Sequence, residues 1–106
     1  MDENITIALV VCHAPFGEIE KNISAMAHWV EKAINGEAGI ICFPELNVTG
    51  YGNKDEVLEL AQPIPGPAST AISKMAGDAG LTILAGLVEK APGGRVFASH
   101  LVAEPN

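Results

Sequence analysis

The sequence predicts an α/β domain with parallel strands, and three observations support this prediction. Short apolar runs typical of buried strands alternate with longer segments in which apolar residues recur every three or four positions. The second pattern places the apolar residues along one side of a helix. The connections are short, and a strand–helix–strand order with short connections indicates parallel strands in one sheet.

The first three elements make up such a strand–helix–strand unit. Residues 5–11 form a β-favouring apolar run that predicts a buried first strand. A helix is expected to begin near residues 17–18, and the Asn-Gly pair at 35–36 supplies its C-terminal end. Residues 39–43 predict the second strand, buried on both faces. The helix carries one apolar stripe, which consists of Ile19, Ile23, Met26, Val30, Ala33 and Ile34.

A short helix is expected after the second strand. Asn53 is placed to cap this helix, and Glu56, three residues further on, is placed as its capping-box partner. The proline-rich and glycine-containing stretch 62–67 then predicts a rigid connector inside the domain. The apolar side of the short helix would consist of Val57, Leu58 and Leu60.

The last predicted elements are a helix and an antiparallel pair of strands. Pro67 suits the first helical position, and Gly80 ends a helix that has apolar residues along one side. Residues 81–88 predict a third strand whose two alternating sets of side chains are both apolar, so both faces should be covered. The turn at 92–94 should join it to an antiparallel fourth strand over roughly 95–103.

The composition excludes several classes of protein. A chain of 106 residues is at most one domain, and 48% hydrophobic with 18% charged residues is typical of a globular chain. A net charge of −7, with single scattered Lys and Arg, argues against partners such as nucleic acid or an anionic membrane surface. No apolar run is long enough to span a membrane, and the acidic N-terminus does not resemble a signal peptide, so we expect a cytoplasmic protein.

The cysteines and histidines do not predict a metal site. Cys12 and Cys42 are expected to be free thiols, because a reducing compartment disfavours disulfides. Together with His13, His28 and His100 they show no zinc-like spacing. A glycine-rich phosphate-binding fingerprint is also absent from the sequence. We therefore expect neither a metal nor another cofactor.

The stretch from residue 39 to residue 52 carries most of the chemical information. Pro44 ends the second strand because it has no N–H to donate, and Glu45 follows as a carboxylate at the carboxyl end of that strand. Catalytic groups collect at this edge of α/β sheets, so Glu45 is a candidate general base, although a lone glutamate there is more often a solvated loop residue. Tyr51 and Thr49 could line a pocket beside it, or the tyrosine ring could fill the interior of the loop.

Two architectures fit strands that are covered on both faces. One is a plain doubly wound sheet with helices on each side, and the other is a four-layer α-β-β-α sandwich. The periodicity of apolar residues does not choose between them, because both bury the same faces.

The residues around Glu45 resemble a known family. Phe43-Pro-Glu-Leu followed by Thr49-Gly-Tyr is similar to the glutamate motif of the nitrilase, or carbon–nitrogen hydrolase, superfamily, and the order of elements agrees along nearly all of the chain. The resemblance implies a four-layer α-β-β-α sandwich, of which residues 1–106 would be the N-terminal portion, a single partial domain. It also implies that the whole protein forms a homo-oligomer.

The resemblance further implies a hydrolase. Its substrate would be a small molecule with a non-peptide amide, carbamoyl or nitrile C–N bond, cleaved through a covalent cysteine intermediate. Glu45 would be the general base that activates the thiol, and a lysine would stabilise the oxyanion of the tetrahedral intermediate. Tyr51 is the candidate residue for contact with the substrate.

The lysine and the cysteine of the family are absent from this chain, because the motifs that carry them lie downstream. Lys90 stands before the Pro92 turn, at a strand end that the family also shows. Cys42 lies inside a strand, three residues before the glutamate. Cys12, beside His13 at the end of the first strand, is a better candidate nucleophile, but the family does not use that position. We expect the chain by itself to be inactive.

Two alternatives stay open at this stage. The chain could be a small non-catalytic α/β module that binds a partner or ligand at its strand ends, and it would then be a folded monomer. A separate chain could instead supply the missing half of a hydrolase. A partial hydrolase would expose the inner faces of its strands, and an exposed apolar surface of this kind favours self-association.

Overall fold

The structure, a computed structural model, describes residues 4–52 and 54–106. Within these residues it contains four strands, three α-helices and one 3₁₀ turn at Pro92–Gly94. The elements in chain order are β1 (Ile7–Leu9), α1 (Ile19–Asn35), β2 (Ile40–Cys42), α2 (Lys54–Glu59), α3 (Pro67–Ala79), β3 (Thr82–Lys90) and β4 (Val96–Ala103).

The strands form one sheet in the order β1-β2-β3-β4. β1, β2 and β3 run parallel to one another, and β4 is antiparallel to β3. The register places Ala8, Ile41, Ile83 and Ala103 in one row across the sheet. The predicted parallel unit and the predicted antiparallel fourth strand are therefore confirmed.

One face of the sheet is covered by α1 and α3. Ile41, Ile83 and Leu87 point into this layer and are fully buried, as is Ile72 of α3. Fully burying a side chain of this kind stabilises the fold by about 1.5–3 kcal/mol, so this layer supplies most of the driving force for folding. The helices contribute further buried residues, namely Met26, Val30, Ala33, Ala68 and Ala76.

The boundaries of the two long helices agree with the prediction. α1 begins directly after Glu18 and ends at Asn35, where Gly36 follows as the C-cap. α3 begins at Pro67 and ends before Gly80, which adopts a φ of 69° and donates its N–H to the Ala76 carbonyl at 2.9 Å. Glycine reaches this left-handed conformation without steric cost. No helix in the described part of the chain is both long and apolar enough to cross a membrane.

The opposite face of the sheet is partly exposed, as expected of a partial hydrolase, and this corrects the expectation that the first strand is buried. β1 spans three residues and not 5–11, and its Leu9 is 77% exposed. In the same row, Cys42 and Leu84 are half-buried and Val102 is exposed. The expectation was wrong because periodicity shows which positions are apolar, but not whether this chain supplies the layer that would cover them.

The short helix α2 is present, but its apolar side is narrower than expected. Val57 packs beside a small buried cluster of Leu46, Ala61 and Val88, whereas Leu58 is half exposed. Leu60 follows the helix and is half-buried. The predicted cap, Asn53, lies outside the described residues.

We predict that the isolated chain self-associates through the exposed face of the sheet. Leu9→Lys should weaken this association and change the free energy of unfolding by less than about 0.5 kcal/mol, because Leu9 is already mostly exposed. Sedimentation velocity over a range of protein concentrations measures the association, and urea unfolding measures stability.

Ile41→Lys is the matched control, because it places the same charge on the buried face of the same sheet. We expect it to unfold the chain, since an unpaired buried charge costs more than about 4 kcal/mol. A chain that remains monomeric at every concentration would show that the exposed face does not drive association.

Candidate functional site

The loop after β2 crosses the sheet and comes to lie against β3. Phe43 continues the pairing of β2 by one residue, since its N–H donates to the Leu84 carbonyl at 2.9 Å. The chain then turns at Pro44, whose carbonyl accepts the Asn47 N–H at 3.3 Å. Glu45 is therefore the second residue of a tight turn, residues 44–47, that begins two residues after the end of β2.

Residues of this loop take over the hydrogen bonds that β2 leaves unmade along the edge of β3. The Gly86 N–H donates to Oδ1 of Asn47 at 3.1 Å, and the Val48 N–H donates to the Gly86 carbonyl at 2.9 Å. Further along the same edge, the Gln62 N–H donates to the Val88 carbonyl at 2.8 Å. A side-chain amide and two separate backbone segments thus replace a continuous neighbouring strand.

Gly86 allows the loop to approach the sheet this closely. A Cβ atom on Gly86 would lie 2.4 Å from the backbone nitrogen of Leu46 and 3.1 Å from Cα of Glu45. Side-chain carbons do not tolerate a backbone contact as short as the first of these. Any other residue at position 86 would therefore displace the turn that carries Glu45.

The loop after β1, residues 10–18, packs against the loop that carries Glu45. Gly50 adopts a φ of 79°, and a Cβ on it would lie 2.7 Å from Cα of Phe16. A Cβ on Gly52 would overlap the ring of Phe16. The two glycines therefore let the loops touch through their backbones and one aromatic ring.

Asn22 of α1 ties these two loops together. Its side chain is buried, and Nδ2 donates to the Pro15 carbonyl at 2.9 Å and to the Val48 carbonyl at 3.0 Å. Leaving buried carbonyls without donors is costly, so both loops are held in place by one amide group.

A cavity of about 230 Å³ lies between the two loops. Glu45 and Tyr51 both line it, so the structure brings the two predicted site residues together. Tyr51 is 64% exposed, which argues against a ring that fills the interior of the loop, whereas Thr49 is fully buried and does not line the cavity. The remaining lining residues are Cys12, His13, Ala14, Phe16, Pro44, Leu46, Asn47 and Gly50.

The carboxylate of Glu45 is exposed and accepts no hydrogen bond from the residues that the structure describes. A carboxylate in this state can accept a proton from a group that enters the cavity, because no internal donor competes for its oxygens.

The two cysteines differ in their relation to the cavity. Both are free thiols, as predicted, and Cys12 lines the cavity whereas Cys42 does not. Burial raises the pKa of the Cys12 thiol, so less of it is thiolate near neutral pH than in an unfolded chain. The environment of Cys12 therefore lowers the fraction of the reactive thiolate and does not activate the thiol as a nucleophile. Lys90, at the far end of β3, also lies outside the residues that line the cavity.

Sequence reasoning missed three residues that build the site: Asn22, Asn47 and Gly86. Two of them carry a signal that could have been used. Asn22 is a polar residue within the apolar stripe of α1, and Gly86 interrupts an apolar strand, which indicates close approach of another backbone. Asn47 has no comparable signal, because asparagine in a loop is common.

Comparison with known proteins shows similarity to the carbon–nitrogen hydrolase family. The sequence model described as carbon–nitrogen hydrolase matches residues 6–106. A nitrilase from Pyrococcus abyssi is 34% identical over 104 residues, and the alignment covers 95% of this chain and 39% of that protein. A hydrolase from Mycobacterium tuberculosis is 26% identical over 84 residues, which is 29% of its length. The chain thus spans well under half the length of these curated relatives.

Solved structures show the same fold. Nit3 from Saccharomyces cerevisiae, a member of branch 10 of the nitrilase superfamily, superimposes with a TM-score of 0.84 at 16% identity, over 95% of this chain and 40% of that chain. A CN-hydrolase superfamily protein from Xanthomonas campestris, whose active site carries an arsenic adduct, superimposes with a TM-score of 0.81 at 24% identity. The match covers 93% of this chain and 36% of that chain. These similarities confirm the predicted fold class, an α/β fold that matches part of the nitrilase-like sandwich.

We predict that Gly86→Ala destabilises the chain by at least about 1–3 kcal/mol, because its Cβ would overlap the backbone at Leu46. Gly77→Ala is the matched control. Gly77 lies on the exposed side of α3, where a new Cβ would meet only the Pro105 carbonyl at 3.5 Å. The control should gain about 0.5–1 kcal/mol from helix propensity. Urea unfolding measures both, and equal stability of the two variants would argue against the close approach at Gly86.

We also predict a pH dependence for the alkylation of Cys12 in a Cys42→Ala variant. The raised pKa of Cys12 means that the folded chain reaches half of its maximal alkylation rate at a higher pH than the same chain unfolded in urea. Iodoacetamide labelling followed by mass spectrometry measures the two midpoints. A folded-state midpoint at or below the unfolded one would show that burial does not protect this thiol.

Proposed function

Because the chain belongs to the carbon–nitrogen hydrolase family, we propose that it is the N-terminal portion of an amidohydrolase. The whole protein would hydrolyse a non-peptide amide, carbamoyl or nitrile C–N bond of a small molecule. The match over residues 6–106 supports this proposal, and so does the fact that the chain spans 36–40% of the two superfamily structures described above.

The proposal is carried by the position of Glu45. Its carboxylate stands at the carboxyl end of β2, lines a cavity and accepts no hydrogen bond from the described residues. We propose that Glu45 accepts the proton of a cysteine thiol supplied by the remainder of the protein. With an amide or carbamoyl group the sulfur attacks the carbonyl carbon, the proton taken by Glu45 passes to the leaving ammonia or amine, and water releases the acid from the thioester. With a nitrile the attack gives a thioimidate, a first water releases ammonia and leaves the thioester, and a second water releases the acid.

The other two catalytic roles also fall to the remainder of the protein. Cys12 has a raised pKa and Lys90 lies away from the cavity, so neither meets the requirements of a nucleophile or an oxyanion donor at this site. A lysine of the remainder would stabilise the oxyanion of the tetrahedral intermediate. Tyr51, which lines the cavity beside Glu45, would contact the substrate. The chain alone would then be inactive.

The exposed face of the sheet favours this proposal over a stand-alone binding module. Ile7, Leu9 and Val102 are 54%, 77% and 64% exposed on the same face. A monomeric module would keep a row of aliphatic side chains of this kind covered. In the proposed whole protein, a second sheet would cover this face and complete the sandwich.

We predict that Glu45→Gln in the whole protein lowers kcat by about 10²–10⁴-fold, because an amide cannot accept the thiol proton. Ammonia release from butyramide, an N-carbamoyl amino acid and butyronitrile provides the assay. Glu59→Gln, an exposed carboxylate at the end of α2, is the control and should leave kcat unchanged. A Glu45→Gln protein with the activity of the unaltered enzyme would rule out Glu45 as the base.

A further inference from the structure

We infer that Asn47 is a positioning residue for the Glu45 carboxylate. Its side-chain amide occupies the place of a strand in the hydrogen-bond ladder of β3, and it thereby fixes the backbone from which Glu45 projects. This inference rests on the proposed role of Glu45 as the general base.

A buried hydrogen bond joins the side chain of Asn47 to the sheet. Asn47 is 3% exposed, and its Oδ1 accepts the N–H of Gly86 at 3.1 Å in a buried environment. The Gly86 carbonyl is bound by the next residue of the same loop, since the Val48 N–H donates to it at 2.9 Å. Both backbone groups of Gly86 on this edge are therefore satisfied by two consecutive loop residues, and the loop has one register on β3.

The backbone between Glu45 and Asn47 has an unusual conformation. Leu46 adopts a φ of 55°, a left-handed value that is unfavourable for a residue with a side chain. Such a conformation persists only where the surroundings hold it. Pro44 restricts the turn on one side, and the Asn47 bond to Gly86 anchors it on the other. Without the Asn47 anchor, the turn loses one of the bonds that hold Leu46 in this conformation, and we expect Glu45 to shift with it.

The placement of the Glu45 carboxylate and the stability of the chain are separate properties. Glu45 accepts no hydrogen bond from the described residues, so the backbone of the turn sets the region that its carboxylate can reach. A misplacement of about 1 Å in a reacting group can cost about 10²-fold in rate. A loss of the Asn47 anchor should therefore appear in kcat, not only in the free energy of unfolding.

Three variants test the inference. Asn47→Leu has nearly the same shape and removes the acceptor, whereas Asn47→Asp keeps an oxygen at the same position and can still accept the Gly86 N–H. Ile72→Val is the control for stability alone, because Ile72 is fully buried in α3 and does not line the cavity.

The first measurement uses the chain as described here. Amide hydrogen exchange at Gly86 should become at least tenfold faster in Asn47→Leu, and it should stay within about threefold of the unaltered rate in Asn47→Asp. The carboxyl ¹³C resonance of Glu45 should shift in Asn47→Leu and remain in place in Ile72→Val. Unchanged exchange at Gly86 together with an unshifted Glu45 resonance would overturn the inference without any assay of activity.

The second measurement uses the whole protein and the ammonia-release assay. Asn47→Leu should lower kcat by about 10²-fold with KM changed less than about threefold, Asn47→Asp should recover most of the loss, and Ile72→Val should keep the original kcat. Full kcat in Asn47→Leu, beside an active unaltered protein, would overturn only the role of Asn47. No turnover by the unaltered protein on any of the three substrates would overturn the proposed function instead.

Discussion

The early end of β2 is the constraint on which the geometry of the site depends. β3 continues well beyond the last residue of β2, so part of its edge lacks a neighbouring strand. Buried backbone N–H and C=O groups need partners, and here the loop that follows β2 supplies them. The Glu45 turn is therefore held against β3 by the same requirement that holds the strands of the sheet together, and Gly86 provides the space for it.

The two faces of the sheet have different roles in the molecule. The face under α1 and α3 is closely packed and provides the hydrophobic stabilisation of the chain. The other face is divided: near Val88 it is covered by the Glu45 loop and the residues around Ala61, and near Leu9 and Val102 it is exposed. The cavity at Glu45 lies among the loops at the carboxyl end of β2, a place where α/β folds commonly bind ligands.

Features set by local sequence were predictable, and features set by distant contacts were not. The ends of α1 and α3 follow from residues such as Gly36, Pro67 and Gly80, and the place of Glu45 follows from the end of an apolar run. The bond from Gly86 to Asn47 joins residues far apart in the chain, so no local pattern reveals it. The exposed face did not follow from periodicity, because apolar character indicates a need for cover and not its presence; only the resemblance to a larger family fold indicated it.

The bond between Asn47 and Gly86 has a consequence for the order of events during protein synthesis. Its partners are separated by 39 positions, and loops of this length close only after both ends exist. The Glu45 turn therefore remains without its final conformation while β2 and α1 are already outside the ribosome. It acquires that conformation when β3 emerges. The translating chain thus passes through an interval in which the residues of α1 and β2 have been synthesised but the Glu45 carboxylate is not yet placed.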